Sequence, residues 1–358
     1  MQGHVNAHTH VYSGLAALGL PAPSVPPQNF LQILQRIWWR LDRALDESSL
    51  YAAARLYVAE ALLWGTTAII DHHESPQCIA GSLDVLADVC EQLGMRALLC
   101  YGASERNRGI DEGHAGLAEC QRFLRKNHRR LVRGMVGLHA SFTVSDATIE
   151  LASRLCHEHR VPLHVHVAED RCDVLDAQRR GEPGPLERLV RLGALPAGSI
   201  LAHGVHLDVE QVRSAEALGL WLVHNPRSNH KNRVGYAQAL RHSKRVALGS
   251  DGFPSDMTQE QQALCQHGAA YGDDDATAQA RLAAGHAILQ QHFSPDDLAT
   301  DDVIRDRDGR VIRVCIGGRL VVENGRLVGD DIDAIRTHAA QQAERLWQRM
   351  RDLPATRE

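Results

Sequence analysis

Two histidines, His8 and His10, stand two positions apart in the opening run HVNAHTH. Side chains on a β-strand alternate between faces, so both imidazoles of an H-x-H pair point to one side and can grip one cation. Three further apolar runs carry ligand-type residues at their ends: HVHVAED at 164–170, ILAHG at 200–204 and ALGSDG at 247–252. Imidazole and carboxylate together suit zinc, iron or manganese better than calcium or magnesium, which favour all-oxygen shells. The chemistry of such a centre is the activation of water.

Side chains so far apart in sequence need a frame that brings them together. Short apolar runs occur at 3–10, 66–73, 95–102, 133–140, 161–169, 198–204, 218–225 and 245–252. Between them lie segments with near-helical spacing, such as Leu50, Ala53, Ala54, Tyr57, Ala61 and Trp64. Strand and helix in alternation predict a parallel sheet. Every run ends in a polar or aromatic residue, which favours a (β/α)₈ TIM-like barrel, because barrel enzymes build sites from the C-terminal ends of several strands. An open sheet would use mainly its switch point. In a closed barrel strands one and eight are neighbours and strand five lies across, so His8, His10, His166 and Asp251 converge above the axis. His164 shares the face of His166 and falls one layer deeper. Glu169, three residues beyond His166, stands over the mouth, where it can shuttle protons.

No lysine or cysteine ends any of the eight runs, and the fourth ends in His139. A bridging carboxylated lysine therefore has no candidate, and one divalent transition metal per chain is expected, zinc first and iron as the alternative. The long first connection, 11–45, carries Phe30, Trp38 and Trp39; it is either a lid over the site or a helix packing its tryptophans. One of His72 and His73 faces the pocket, and His73 is assigned to substrate contact with His139 and Trp39.

After the barrel, RVIRVCIGGRLVVENGRL at 310–327 alternates apolar and polar around Gly317–Gly318 and predicts a hairpin. Ile332, Ile335, Ala339, Ala343, Leu346 and Met350 then mark an amphipathic helix. The expected organisation is a barrel over 1–293, a small β remnant over 294–330, and a C-terminal helix over 331–358 packing back on the barrel.

Composition narrows the partners. A chain of 358 residues with 44% hydrophobic content can bury a large core, as one large domain or two modest ones. A net charge of −5 and a pI near 6.5 argue against nucleic acid. The basic run at 124–133 reads as a solvated helix end. No apolar stretch reaches the roughly 18 residues of a membrane span, and no leader is apparent, so no membrane partner and a cytoplasmic location are expected. The eight cysteines include no C-x-x-C pair, which fits reduced thiols.

With these residues in place the chain resembles the amidohydrolase superfamily, its deaminase and chlorohydrolase branch, and within that the SsnA-like aminohydrolases. The resemblance runs from Gly3 to about Phe293 through NAHTH, WWRLDR, GTTAIIDHHESP, GLHASFTVSD, HVHVAED, LAHGVHL, VHNPRSN and GSDG. It implies a metal on His8, His10, His166 and Asp251. It also implies that Glu169 exchanges protons with a substrate ring, that His203 hydrogen-bonds the attacking water, and that Asp251 accepts the water's proton. The implied reaction is hydrolytic deamination of an amino-substituted heterocycle such as a purine, pyrimidine or triazine. Hydrolysis of a cyclic amide or ester, dechlorination, and a non-catalytic metal-bound scaffold are the alternatives. His224, Asn225 and Ser228 would shape the strand-seven loop, with Asn229 bonding Asp251 or the lid. Relatives place a small β-domain before the H-x-H strand, whereas here Met1 lies seven residues before His8. Unpaired hairpin edges and a homodimer or larger oligomer are therefore expected.

Overall fold

The computed structural model describes residues 2–354. Eight parallel strands form its centre: β1 (His4–Thr9), β2 (Thr66–His73), β3 (Arg96–Ala103), β4 (Val132–Gly134) continued by β5 (Val136–Ala140), β6 (Leu163–Val167), β7 (Ile200–His203), β8 (Trp221–His224) and β9 (Val246–Leu248). β4 and β5 act as one barrel strand interrupted at Met135, pairing in turn with the lower and upper parts of β3. The strands follow one another in the order β1-β2-β3-β5-β6-β7-β8-β9. A parallel bridge between Thr9 and Asp251 closes the ring, and the His8 carbonyl accepts the Ser250 and Asp251 amides at 3.0 Å each. The eight apolar runs are the eight barrel strands.

The runs look continuous rather than alternating because helices cover the outside while side chains fill the inside. β2 and β3 are buried along their whole length. Ala68, Ile70, Leu98, Cys100, Trp221, Val223 and Ala247 gather in one cluster. The intervening Ile69, Ala97, Leu99 and Tyr101 pack in another, with helices Glu47–Leu63 and Ser82–Leu93. Gly102 leaves room for a ring inside the barrel, since a Cβ there would come within 2.2 Å of His72 Cε1.

Beyond the barrel lies an antiparallel sheet of β10 (Asp302–Arg305), β11 (Val311–Ile316), β12 (Arg319–Glu323) and β13 (Arg326–Leu327). The expected hairpin is β11–β12, turning through Gly317 and Gly318 at φ 57° and 78°, the left-handed region glycine favours. Its edges are not bare, which corrects the expectation: β10 pairs with β11 and β13 with β12. Helix Ile332–Asp352 packs Ile335, Ala339, Ala343, Leu346 and Met350 into the cluster that holds helix Glu47–Leu63. It also braces the first connection, with Arg40 donating to the Met350 carbonyl at 2.7 Å and Trp347 Nε1 to the Leu18 carbonyl at 2.8 Å. Residues 355–358 of the predicted C-terminal unit lie outside the described residues. Among the described residues all eight cysteines are unpaired, and no helix is long and apolar enough to cross a membrane.

Candidate metal centre

The histidines at the strand ends are oriented by backbone carbonyls. His10 Nδ1 lies 2.6 Å from the His72 carbonyl, and His166 Nδ1 lies 2.6 Å from the His139 carbonyl. A carbonyl oxygen only accepts, so Nδ1 carries a proton in both rings and Nε2 is the nitrogen left to ligate. His203 Nδ1 donates in the same way to Asn229 Oδ1 at 2.8 Å. His8 differs: its Nδ1 pairs at 2.9 Å with Nε2 of His164, one layer down as expected.

The Nε2 atoms then meet Asp251. His10 Nε2 is 3.0 Å from Asp251 Oδ1 and 3.1 Å from His166 Nε2, while His8 Nε2 is 3.4 Å from Asp251 Oδ1. Ligand atoms of His8, His166, His203 and Asp251 all lie within 4.8 Å of one another. Ser228 Oγ donates to the other oxygen, Asp251 Oδ2, and so fixes the carboxylate. The sequence left Asn229 to bond Asp251 or the lid; it bonds His203, and Ser228 takes Asp251.

A cation fits this donor set. His8 Nε2 and His203 Nε2 are buried with no hydrogen-bond partner, although buried polar atoms are normally satisfied. Burial holds His8 down to about 3, so its imidazole is neutral, the form that ligates metal. Burial alone would lower His10 too, but the hydrogen bond and charge of Asp251 raise it to about 9. Burial alone would raise Asp251, yet the Nε2 atoms of His10 and His8 close to its Oδ1 hold it well below the carboxylate range. A cation bound here would take the place of the proton on His10. His203 and Asp251 also adopt left-handed backbone, at φ 76° and 54°, a strained conformation that turns their side chains over the barrel mouth.

Above the ligands is a cavity of about 50 Å³. Its roof comes from the first connection: Asn29 caps helix Phe30–Ile33, a π-helical turn spans Leu34–Trp38, and helix Trp39–Ala44 follows. Phe30, Leu34, Trp38 and Trp39 line the cavity, which places this segment as a roof over the mouth. Glu169 also lines it, with Oε2 3.6 Å from His203 Nε2. Burial, then the charges of Asp251 and Asp170, push the Glu169 carboxyl well above its usual range. His139 lines the cavity as well, its Nδ1 3.0 Å from Thr143 Oγ1 and its ring 6.0 Å from that of Trp39.

His73 is placed elsewhere. Its Nε2 pairs with Ser75 Oγ at 2.8 Å, and its ring packs against Tyr12 and Tyr101 outside the cavity lining. The phase of β2 instead turns His72 inward, its ring 4.6 Å from that of His166. Tyr12, Phe142, Asp173 and Glu74 also line the cavity without having been singled out from sequence. Of these, Glu74 carried a signal, being a carboxylate just past a strand end in HHESP, as Glu169 is in HVHVAED. His166 belongs to two further groupings, with His10 and His72 and with Glu74 and His139.

Asp173 offers a test of this buried environment. Its Oδ2 accepts the Ala168 amide at 2.8 Å, while Oδ1 is buried without a partner. Burial pushes its carboxyl up to about 7. A carboxyl raised on folding stabilises the fold fully below its unfolded pKa, near 4, and that contribution is lost as pH rises through the folded value. Asp173→Asn keeps the acceptor and removes the charge. Its melting temperature relative to the wild type should therefore climb between about pH 5 and about pH 8. A constant or shrinking difference across that range would mean that Asp173 titrates normally.

A model described as the amidohydrolase family matches residues 1–286. The 5'-deoxyadenosine deaminase of Methanopyrus kandleri is 27% identical over 388 residues, spanning 97% of this chain and 86% of its own length. The 8-oxoguanine deaminase of Pseudomonas aeruginosa is 28% identical over 304 residues, 79% of this chain and 67% of its own. Among solved structures, an adenosine deaminase from Xanthomonas campestris with bound zinc shares the fold, with a TM-score of 0.75 at 24% identity over 97% of this chain and 85% of that one.

Proposed function

We propose that this chain, which belongs to the amidohydrolase family, is a metal-dependent aminohydrolase that releases ammonia from an amino-substituted heterocycle. The observation that carries the reading is the convergence of His8, His10, His166 and Asp251 beneath a roofed cavity that Glu169 also lines. These four side chains would hold one zinc or iron; a relative with bound zinc makes zinc the first choice. When bound, the metal lowers the pKa of water and polarises the group under attack.

The remaining work falls to the chain. His203 Nε2, free of other partners, orients a water by hydrogen bonding, and Asp251 takes its proton. Burial and the nearby charge of Asp251 push the Glu169 carboxyl well above its usual range, which suits it to protonate a ring nitrogen and make the adjacent carbon electrophilic. The C–N bond then breaks, the amino group leaving as ammonia with the proton that Asp251 took, and Glu169 recovers its own proton from the new hydroxyl as the ring carbonyl forms. Phe30, Leu34, Trp38 and Trp39 would offer flat and apolar surface to a ring and exclude water, and His139 and Trp39, which line the same cavity, would touch it. The apolar and aromatic lining suits a flat heterocyclic ring, which the roof would have to shift to admit, since the cavity holds only about 50 Å³. The deaminase relatives, whose names specify deoxyadenosine and oxoguanine, favour a purine-type ring.

Ammonia release decides the matter. Zinc-loaded protein is expected to deaminate at least one member of a panel of aminopurines, aminopyrimidines and aminotriazines, and to leave cyclic amides, cyclic esters and chlorotriazines untouched. Turnover of the latter group alone would replace deamination with the alternative hydrolysis. Full metal loading with no turnover of any panel member would favour a metal-bound scaffold.

A further inference from the structure

We propose that Glu74 is a specificity-determining residue, whose carboxylate accepts a hydrogen bond from an N–H on an edge of the heterocycle other than the one that faces Glu169. The inference rests on the reading of the cavity as the seat of an amino-heterocycle. Glu74 follows β2 directly, is only 2% exposed, and nevertheless lines the cavity. A carboxylate so buried is costly unless paired. Its pairing is one-sided: Arg106 Nη2 donates to Oε2 at 2.8 Å, while Oε1 has two imidazole nitrogens near it, His72 Nδ1 at 3.4 Å and His139 Nε2 at 3.9 Å. A carboxylate has about four acceptor sites, so Oε1 retains capacity toward the cavity.

The clamp makes Glu74 a fixed acceptor rather than a mobile one. The same Arg106 nitrogen lies 2.9 Å from Asp42 Oδ2, and Arg106 Nε donates to Ser104 Oγ at 3.0 Å. The guanidinium lies over the Trp39 ring, 4.9 Å from its centroid. Asp42 and Trp39 belong to the roof helix Trp39–Ala44, so one cation ties the roof to Glu74. One guanidinium facing two carboxylates leaves acceptors in excess. A ring N–H satisfies such a site, whereas a ring carbonyl or N-methyl group turned toward Glu74 would desolvate it with nothing in return. Glu74 and Glu169 sit beyond β2 and β6, three barrel strands apart, so a ring between them is read at two edges: protonated at one, recognised at the other.

The test uses binding, separately from turnover. Zinc-loaded protein is titrated calorimetrically with adenine, guanine, cytosine and melamine, each against forms methylated at one N–H at a time. For a ring that binds, one methylation should weaken wild-type affinity by about 10–100-fold, the range for a hydrogen bond to a charged group. Glu74→Gln, with unchanged metal content and circular dichroism, should collapse that discrimination. Glu74→Asp keeps the charge for Arg106 but withdraws the carboxylate, and should also lose it, which covers the case of a Gln variant that does not fold. The proposal is overturned if no ring binds, if no methylation matters, or if the variants keep the wild-type preference. It is also overturned if wild type loads two metals and Glu74→Gln one, since Glu74 would then be a ligand. Ammonia release is scored on the same rings. N–H discrimination without ammonia removes the deaminase reading alone, and ammonia without discrimination removes this one alone.

Discussion

Glu169→Gln is expected to fold, to retain its metal and to bind a ring, while losing turnover by about 10²–10⁴-fold, the usual contribution of a positioned general acid–base. The substitution keeps size and hydrogen bonding and removes only the transferable proton. Three features of the site make it informative. Glu169 lines the cavity, it lies 3.6 Å from His203, and burial favours its protonated form. None of these places it among the atoms converging on Asp251 Oδ1. Elemental analysis and steady-state kinetics on the same preparation separate the outcomes. Loss of metal would make Glu169 a ligand; unchanged kcat would make it a bystander on the loop after β6 and remove the proton-transfer step.

Much of this site was legible because barrel geometry converts position along a strand into position in space. Each apolar run ends where its strand ends, so a histidine or carboxylate at that point must face the mouth. His8, His10, His166 and Asp251 follow from that rule, and they meet. The same rule fails where a strand is buried on both faces. β2 shows no polar alternation, so nothing in TTAIIDHH fixes which histidine turns inward, and a one-residue error in phase exchanges His72 for His73. β10 was hidden for a different reason. Only Val303 and Ile304 are apolar within a stretch of aspartates and arginines, and pairing with β11 rather than its own pattern makes it a strand. The Arg106 clamp on Asp42 and Glu74 joins three separate segments of chain. Local spacing carries no trace of such a contact.

Removing a single ligand should empty the centre. His8→Ala and Asp251→Ala are each expected to lower metal affinity by more than about 100-fold, since even an outer partner of a ligand is worth about 10–100-fold. His4→Ala is the matched control. It removes the same side-chain type from the same strand, β1, at the end away from the mouth, where His4 joins none of the ligand groupings. Stability supplies a readout independent of catalysis. A ligand that binds only the folded state stabilises it by about 4 kcal/mol at a thousand times its Kd. Wild type and His4→Ala should therefore melt higher with added zinc, and His8→Ala and Asp251→Ala should not. The affinity loss in His8→Ala follows from geometry, because His8 Nε2 is buried and has no other partner. Asp251→Ala removes the only carboxylate in the grouping with His8, His166 and His203, and with it the negative charge that offsets a divalent cation in a buried site. Zinc-dependent stabilisation that survives in both variants would mean that the chain holds its metal elsewhere. Two zinc ions per wild-type chain would mean that the groupings shared by His166 are occupied together, and the single-metal reading would fall.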